Sequence, residues 1–222
     1  MRYLALACDY DGTLASDGLV SGETLTALKQ ARKSGWKLIL VTGRQLEDLL
    51  AVFPQINLFS RVVVENGAVL YRPATGDIVS LADSPPERLI TALQQRKIAP
   101  VSVGRVIVAT REPHGSSVRE VIHDLSLAHK VILNKGAVMI LPAGIDKGTG
   151  LQSALRELTL LPSEVAGIGD AENDEAFLNL CGYSAAVGNA LPQLKEKVYF
   201  VTMGNRGQGV VELIQHLMIH DA

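Results

Sequence analysis

Four short apolar runs limit what this chain can fold into: YLALAC (3–8), KLILVT (37–42), RVVVEN (61–66) and VAGIG (165–169). Their apolar bodies show no alternation with polar residues, so each is expected to be a strand covered on both faces. Segments of helical period lie between them. SGETLTALKQARKSG (21–35) offers Ser21 as an N-cap, Leu25 and Leu28 on one face, and Gly35 as the residue past the end. RQLEDLLAVFPQI (44–56) reads as a helix stopped near Pro54. Strand, helix, strand, helix, strand predicts a doubly wound α/β core: a parallel, Rossmann-like sheet with right-handed crossovers.

The rhythm then changes. GAVLYRPATGDIVSL (67–81) reads as a β-hairpin turning over residues 73–77. From about residue 83 the order becomes α-β-β-α-β-β. A helix over 85–97 precedes two strands meeting near Gly104; a helix over 116–129 precedes two strands meeting near Gly136. After LPAGIDKG the first rhythm resumes, with a helix over 147–158, a strand over 165–169, a helix over 173–180 and a strand over 183–187. The prediction is a discontinuous core of residues 1–82 and 143–222, with residues 83–142 inserted as a small α+β unit.

The composition closes off several function classes. Of 222 residues, 47% are hydrophobic, enough for a sizeable core, and the net charge is -2 with no basic block. Nucleic-acid binding needs clustered Lys and Arg and is not expected. Cys8 and Cys181 are the only cysteines, which is no disulfide framework. No apolar run approaches a membrane span. The chain reads as soluble and cytoplasmic, and nothing in it indicates an oligomeric state.

In open parallel sheets, ligands bind beyond the carboxyl ends of the strands. Asp9 and Asp11 follow the first strand, Thr42, Gly43 and Arg44 the second, and Asp170, Asn173 and Asp174 follow VAGIG. Lys147 stands at a predicted helix start. Several carboxylates at close range need a cation, and oxygen ligands without His or Cys suit Mg²⁺. Thr42, Lys147 and free backbone N–H groups suit a phosphate. One Asp has the chemistry of a nucleophile and another that of a general acid/base.

These stretches resemble the motifs of the haloacid dehalogenase (HAD) superfamily of phosphohydrolases. DYDGTL (9–14) resembles its first motif, VTGR (41–44) its second, Lys147 in IDKGTGL its third, and GDAENDEAF (169–177) its fourth. The insertion resembles the small C2B cap of Cof-type sugar-phosphate phosphatases and archaeal phosphoglycolate phosphatases. ENGA (65–68) and AVGNA (186–190) are also similar to stretches of that branch.

The resemblance implies a phosphatase acting on a small phosphorylated metabolite with Mg²⁺. By that likeness Asp9 is the nucleophile and Asp11 the general acid/base. Asp9, the Asp11 backbone carbonyl, Asp170 and Asp174 are implied in metal binding. Thr42 and Lys147 are implied in holding the transferring phosphoryl group, with Asn173 orienting it and Gly43 and Arg44 beside it. P-type ATPases have Thr where Asp11 stands, and dehalogenases lack this Asp; Asp11 therefore favours a phosphatase, with a phosphosugar mutase or a non-catalytic binding protein as alternatives. Specificity is expected from the insertion, around 101–105 and 134–138.

Overall fold

The apolar runs form the centre of an eight-stranded sheet in a computed structural model that describes residues 3–220. The first half of the chain runs β1 (Ala5–Cys8), α1 (Gly22–Lys33), β2 (Lys37–Val41), α2 (Leu46–Val52), β3 (Arg61–Val64), β4 (Val69–Arg72) and β5 (Asp77–Ser80). An inserted stretch follows: α3 (Glu87–Gln95), β6 (Ser102–Val103), β7 (Val108–Arg111), α4 (Gly115–Asp124), β8 (His129–Asn134) and β9 (Ala137–Pro142). The chain then returns through α5 (Lys147–Leu158), β10 (Val165–Gly169), α6 (Glu175–Leu178), β11 (Tyr183–Ala186), α7 (Pro192–Lys195), β12 (Phe200–Val201) and α8 (Gly207–His220).

The main sheet has the order β12-β11-β10-β1-β2-β3-β4-β5. Its pairings are parallel from β12 to β3, and β4 and β5 add an antiparallel hairpin. β1 is central, and Ala5 to Cys8 are fully buried, as a strand covered on both faces requires.

Local signals set the helix ends. Ser21 Oγ accepts from Thr24 N–H at 3.2 Å and caps α1. Gly35, at φ +98, lets the chain turn back so that its N–H reaches Arg32 O and the Trp36 N–H reaches Ala31 O. The predicted 44–56 helix is shorter: α2 ends at Val52, and a 3₁₀ turn covers Ile56–Leu58 beyond Pro54. The predicted 173–180 helix is also split, into a 3₁₀ turn over Glu172–Asp174 and α6.

The second sheet is antiparallel, in the order β6-β7-β9-β8. Its core packs Leu89 and Leu93 of α3 and Val118 and Val121 of α4 onto Val108, Val138 and Ile140. The alternate residues of β9, Met139 and Leu141, join the main core instead. Strand alternation thus gives β9 two apolar faces, one for its own helices and one turned to the main sheet. Among the described residues, no helix is long and apolar enough to cross a membrane.

Candidate active site

Three strand ends and one helix start meet at one edge of the main sheet. β1 leads into Asp9, β2 into Thr42, Gly43 and Arg44, and β10 into Asp170. The start of α5 is held by a capping box: Asp146 Oδ1 accepts from Thr149 N–H at 3.0 Å, and Thr149 Oγ1 accepts from Asp146 N–H at 3.0 Å. The box fixes the first turn, and Lys147 there is buried.

Lys147 Nζ donates to Asp9 Oδ1 at 2.6 Å and to Asp174 Oδ1 at 2.5 Å. Asp174 Oδ2 accepts the N–H groups of Asp170, at 2.8 Å, and Ala171, at 3.0 Å. One carboxylate therefore ties the lysine to the loop after β10. Burial opposes the charge on Lys147, but Asp174 and Asp9 outweigh it and hold the ammonium above its ordinary range. Burial, followed by the charge of Asp174, pushes the Asp9 carboxyl up to about 7, against the pull of Lys147. Burial also raises Asp170, while its bond from Lys135 lowers it.

Asp9, Asp170 and Asp174 each bring a carboxylate oxygen within 4.8 Å of the others. The donor set is all hard oxygen and carries more negative charge than Lys147 balances, which fits Mg²⁺. A second ammonium already answers that charge: Lys135 Nζ, from the turn between β8 and β9, donates to Asp170 Oδ2 at 2.5 Å. Space is kept open here too. Gly12 has φ +90, and a Cβ on it would lie 2.3 Å from Asp170 Oδ2.

The family model for haloacid dehalogenase-like hydrolases matches residues 6–104 and 101–214. The chain belongs to this family. It is 33% identical to a phosphoglycolate phosphatase of Methanothermobacter thermautotrophicus over 221 residues, covering 96% of this chain and 98% of that protein. It is 29% identical to phosphoglycolate phosphatase 2 of Saccharolobus solfataricus, covering 97% of this chain and 92% of that protein. Family and relatives together make the chain a phosphatase. In fold it is similar to a haloacid dehalogenase-like hydrolase of Bacteroides thetaiotaomicron, with TM-score 0.80, 18% identity and coverage of 97% and 100% of the two chains. A HAD subclass IIB sugar phosphatase shares the fold with TM-score 0.79, 19% identity and coverage of 97% and 99%.

Every site residue predicted for this HAD phosphatase except Asp174 lines one cavity of about 180 Å³. Asp174 lies beneath it, fully buried, with both oxygens already bonded within the protein. Asp11 stands at the rim. Its side chain is 48% exposed, and Arg44 Nε and Nη2 grip its two oxygens at 2.6 and 2.7 Å. The Asp11 carboxylate is not part of the Asp9–Asp170–Asp174 cluster. Thr42 is buried, and its Oγ1 accepts from Arg44 N–H at 3.2 Å.

Three residues that adjoin the candidate site are not among the predicted site residues. Asn66 is fully buried, and its Oδ1 accepts from Asn173 Nδ2 at 2.9 Å. Asn66 Nδ2 and Asn173 Oδ1 are buried without a partner among the described residues, as polar groups awaiting a ligand would be. Glu65 is buried and accepts from the N–H groups of Arg105, Val106 and Ile107. Lys135 reaches Asp170 from the second sheet. ENGA was a visible signal for the first two; Lys135 looks like any turn lysine.

Proposed function

We propose that the chain is a Mg²⁺-dependent phosphatase that hydrolyses a small phosphomonoester through an aspartyl-phosphate on Asp9. The observation that carries this reading is the buried Lys147 at the cavity wall, bridging Asp9, which also lines it, to Asp174 beneath. A lysine held this way neutralises Asp9 and leaves it positioned for attack, and phosphoryl transfer depends mostly on positioning and charge neutralisation.

In this reading Asp9 attacks phosphorus, and the bond to the ester oxygen breaks. Asp11 gives the leaving oxygen its proton, so the alcohol departs neutral. Asp11 then takes a proton from water, the water oxygen attacks the aspartyl-phosphate, and inorganic phosphate and free Asp9 result. Arg44 holds Asp11 in the resting protein and must yield it for proton transfer. Thr42, Lys147 and Asn66 Nδ2 face the phosphoryl oxygens, with Asn173 orienting Asn66 through the bond to its Oδ1. Asp9, Asp170 and the Asp11 backbone carbonyl would hold Mg²⁺; Asp174, the third carboxylate of the cluster and also implied in metal binding, has both oxygens bonded within the protein and would fix the loop behind them instead. The metal supplies charge neutralisation on the transferring phosphoryl group.

Residues 83–142 act as a cap over a core of residues 1–82 and 143–222. Its β8–β9 hairpin closes the cavity with Asn134, Ala137 and Met139, excluding bulk water during transfer. The two phosphoglycolate phosphatases noted above support a substrate of that size and kind. The test is phosphate release from a panel of metabolite monoesters with and without Mg²⁺. Release should need the metal, stop with EDTA, and be lost in Asp9→Asn. Turnover surviving in Asp9→Asn overturns the nucleophile assignment.

A further inference from the structure

We propose that Lys135 reads a carboxylate on the leaving-group side of the substrate and so selects a short acidic phosphomonoester; this rests on the phosphatase reading above. Asn134 and Ala137 pair across the hairpin, leaving Lys135 and Gly136 as a two-residue loop. Both have positive φ, +48 and +85, which is a type I′ turn. Its first position favours Asn, Asp or Gly, and a lysine there is locally unfavourable. An unfavourable backbone that persists at the mouth of a cavity points to a use for its side chain.

The side chain has one destination. Its stem is half-exposed, yet its ammonium reaches a carboxylate oxygen of buried Asp170, at the cavity wall. An ammonium that can reach that oxygen can also reach a substrate carboxylate at the same mouth. Next to Lys135, Asn134 lines the cavity, and its buried Oδ1, an acceptor without a partner among the described residues, is open to a donor rather than to the carboxylate itself. Across the cavity, Arg44 is already occupied by both oxygens of Asp11. Lys135 is thus the cation that the inserted unit brings to the leaving group.

The experiment compares kcat/KM for 2-phosphoglycolate with that for 2-hydroxyethyl phosphate, which has the same length but no carboxylate, with Mg²⁺ present. The full chain should prefer the carboxylated ester. Lys135→Met should lower the preference ratio at least tenfold, and Lys135→Arg should restore part of it. A ratio lowered less than tenfold in Lys135→Met, or an equal loss on both esters, overturns the inference and leaves Lys135 as a neutraliser of Asp170. A full chain that hydrolyses other monoesters without preferring the carboxylated one overturns it as well. No phosphate release from any monoester overturns the phosphatase reading, and this inference with it.

Discussion

The Glu65 carboxylate, at the end of β3, accepts a hydrogen bond from the Val106 N–H between β6 and β7 at 2.8 Å, out of reach of water. Arg105 N–H adds a bond at 2.8 Å and Ile107 N–H one at 2.9 Å. One anion thus fastens three successive amides of the inserted unit to the main sheet. Glu65 itself sits at φ +51, a conformation held by its surroundings. Glu65→Ala leaves those donors buried and unpaired, at a cost of about 3–5 kcal/mol. Denaturant unfolding should show this loss. Amide exchange should speed up first at residues 105–107. Glu65→Gln keeps one acceptor oxygen and should lose less.

Lys147 is buried between two carboxylates. Lys147→Met removes the charge and leaves Asp9 and Asp174 facing each other. Breaking a buried pair this way costs about 3–5 kcal/mol. Phosphate release should fall by at least about a thousandfold, equivalent to about 4 kcal/mol of barrier. Denaturant midpoints and initial rates on the same preparation check both parts.

Gly67 has φ +105, and a Cβ there would lie 1.8 Å from the backbone oxygen of Asp146. This close approach sets the start of α5, and with it Lys147, against the turn after β3. Gly67→Ala should cost about 2–4 kcal/mol, since it adds both a clash and a disfavoured φ. A thermal melt measures it. A variant as stable as the natural chain would contradict the packing described.

Far from the site, Glu157 on α5 accepts from Arg61 Nε at 2.6 Å and from Arg72 Nη2 at 2.6 Å. These bonds, that of Arg72 first, hold the Glu157 carboxyl down at about 2. A folded-state value below the unfolded one stabilises the fold above the unfolded value and ceases to do so as pH falls through the folded one. Glu157→Gln should therefore cost about 1 kcal/mol at neutral pH, discounted for partial exposure. That difference should shrink between about pH 4.5 and 2 and vanish below. Urea titrations of both proteins across pH test the sign.

The sequence by itself determined the parallel core and which residues gather at the candidate site. β1 and β10 are too apolar to be anything but buried strands, and in such a sheet the residue after each strand reaches the ligand edge. Asp9, Thr42 and Asp170 are therefore legible from position alone, and Lys147 from its place at a helix start. Tertiary structure decided how those residues divide their bonds. Asp174 faces inward to Lys147 and the β10 loop, while Asp11 turns to Arg44. It also decided the roles of Glu65 and Lys135. In sequence, Glu65 is a charge after a strand and Lys135 a charge in a turn, both ordinarily solvated. What distinguishes them is contact with residues 40 and 35 positions away. Those contacts exist only because the second face of β9 packs against the main core. Strand alternation shows that β9 has two faces, but only the packed molecule shows what the second face meets.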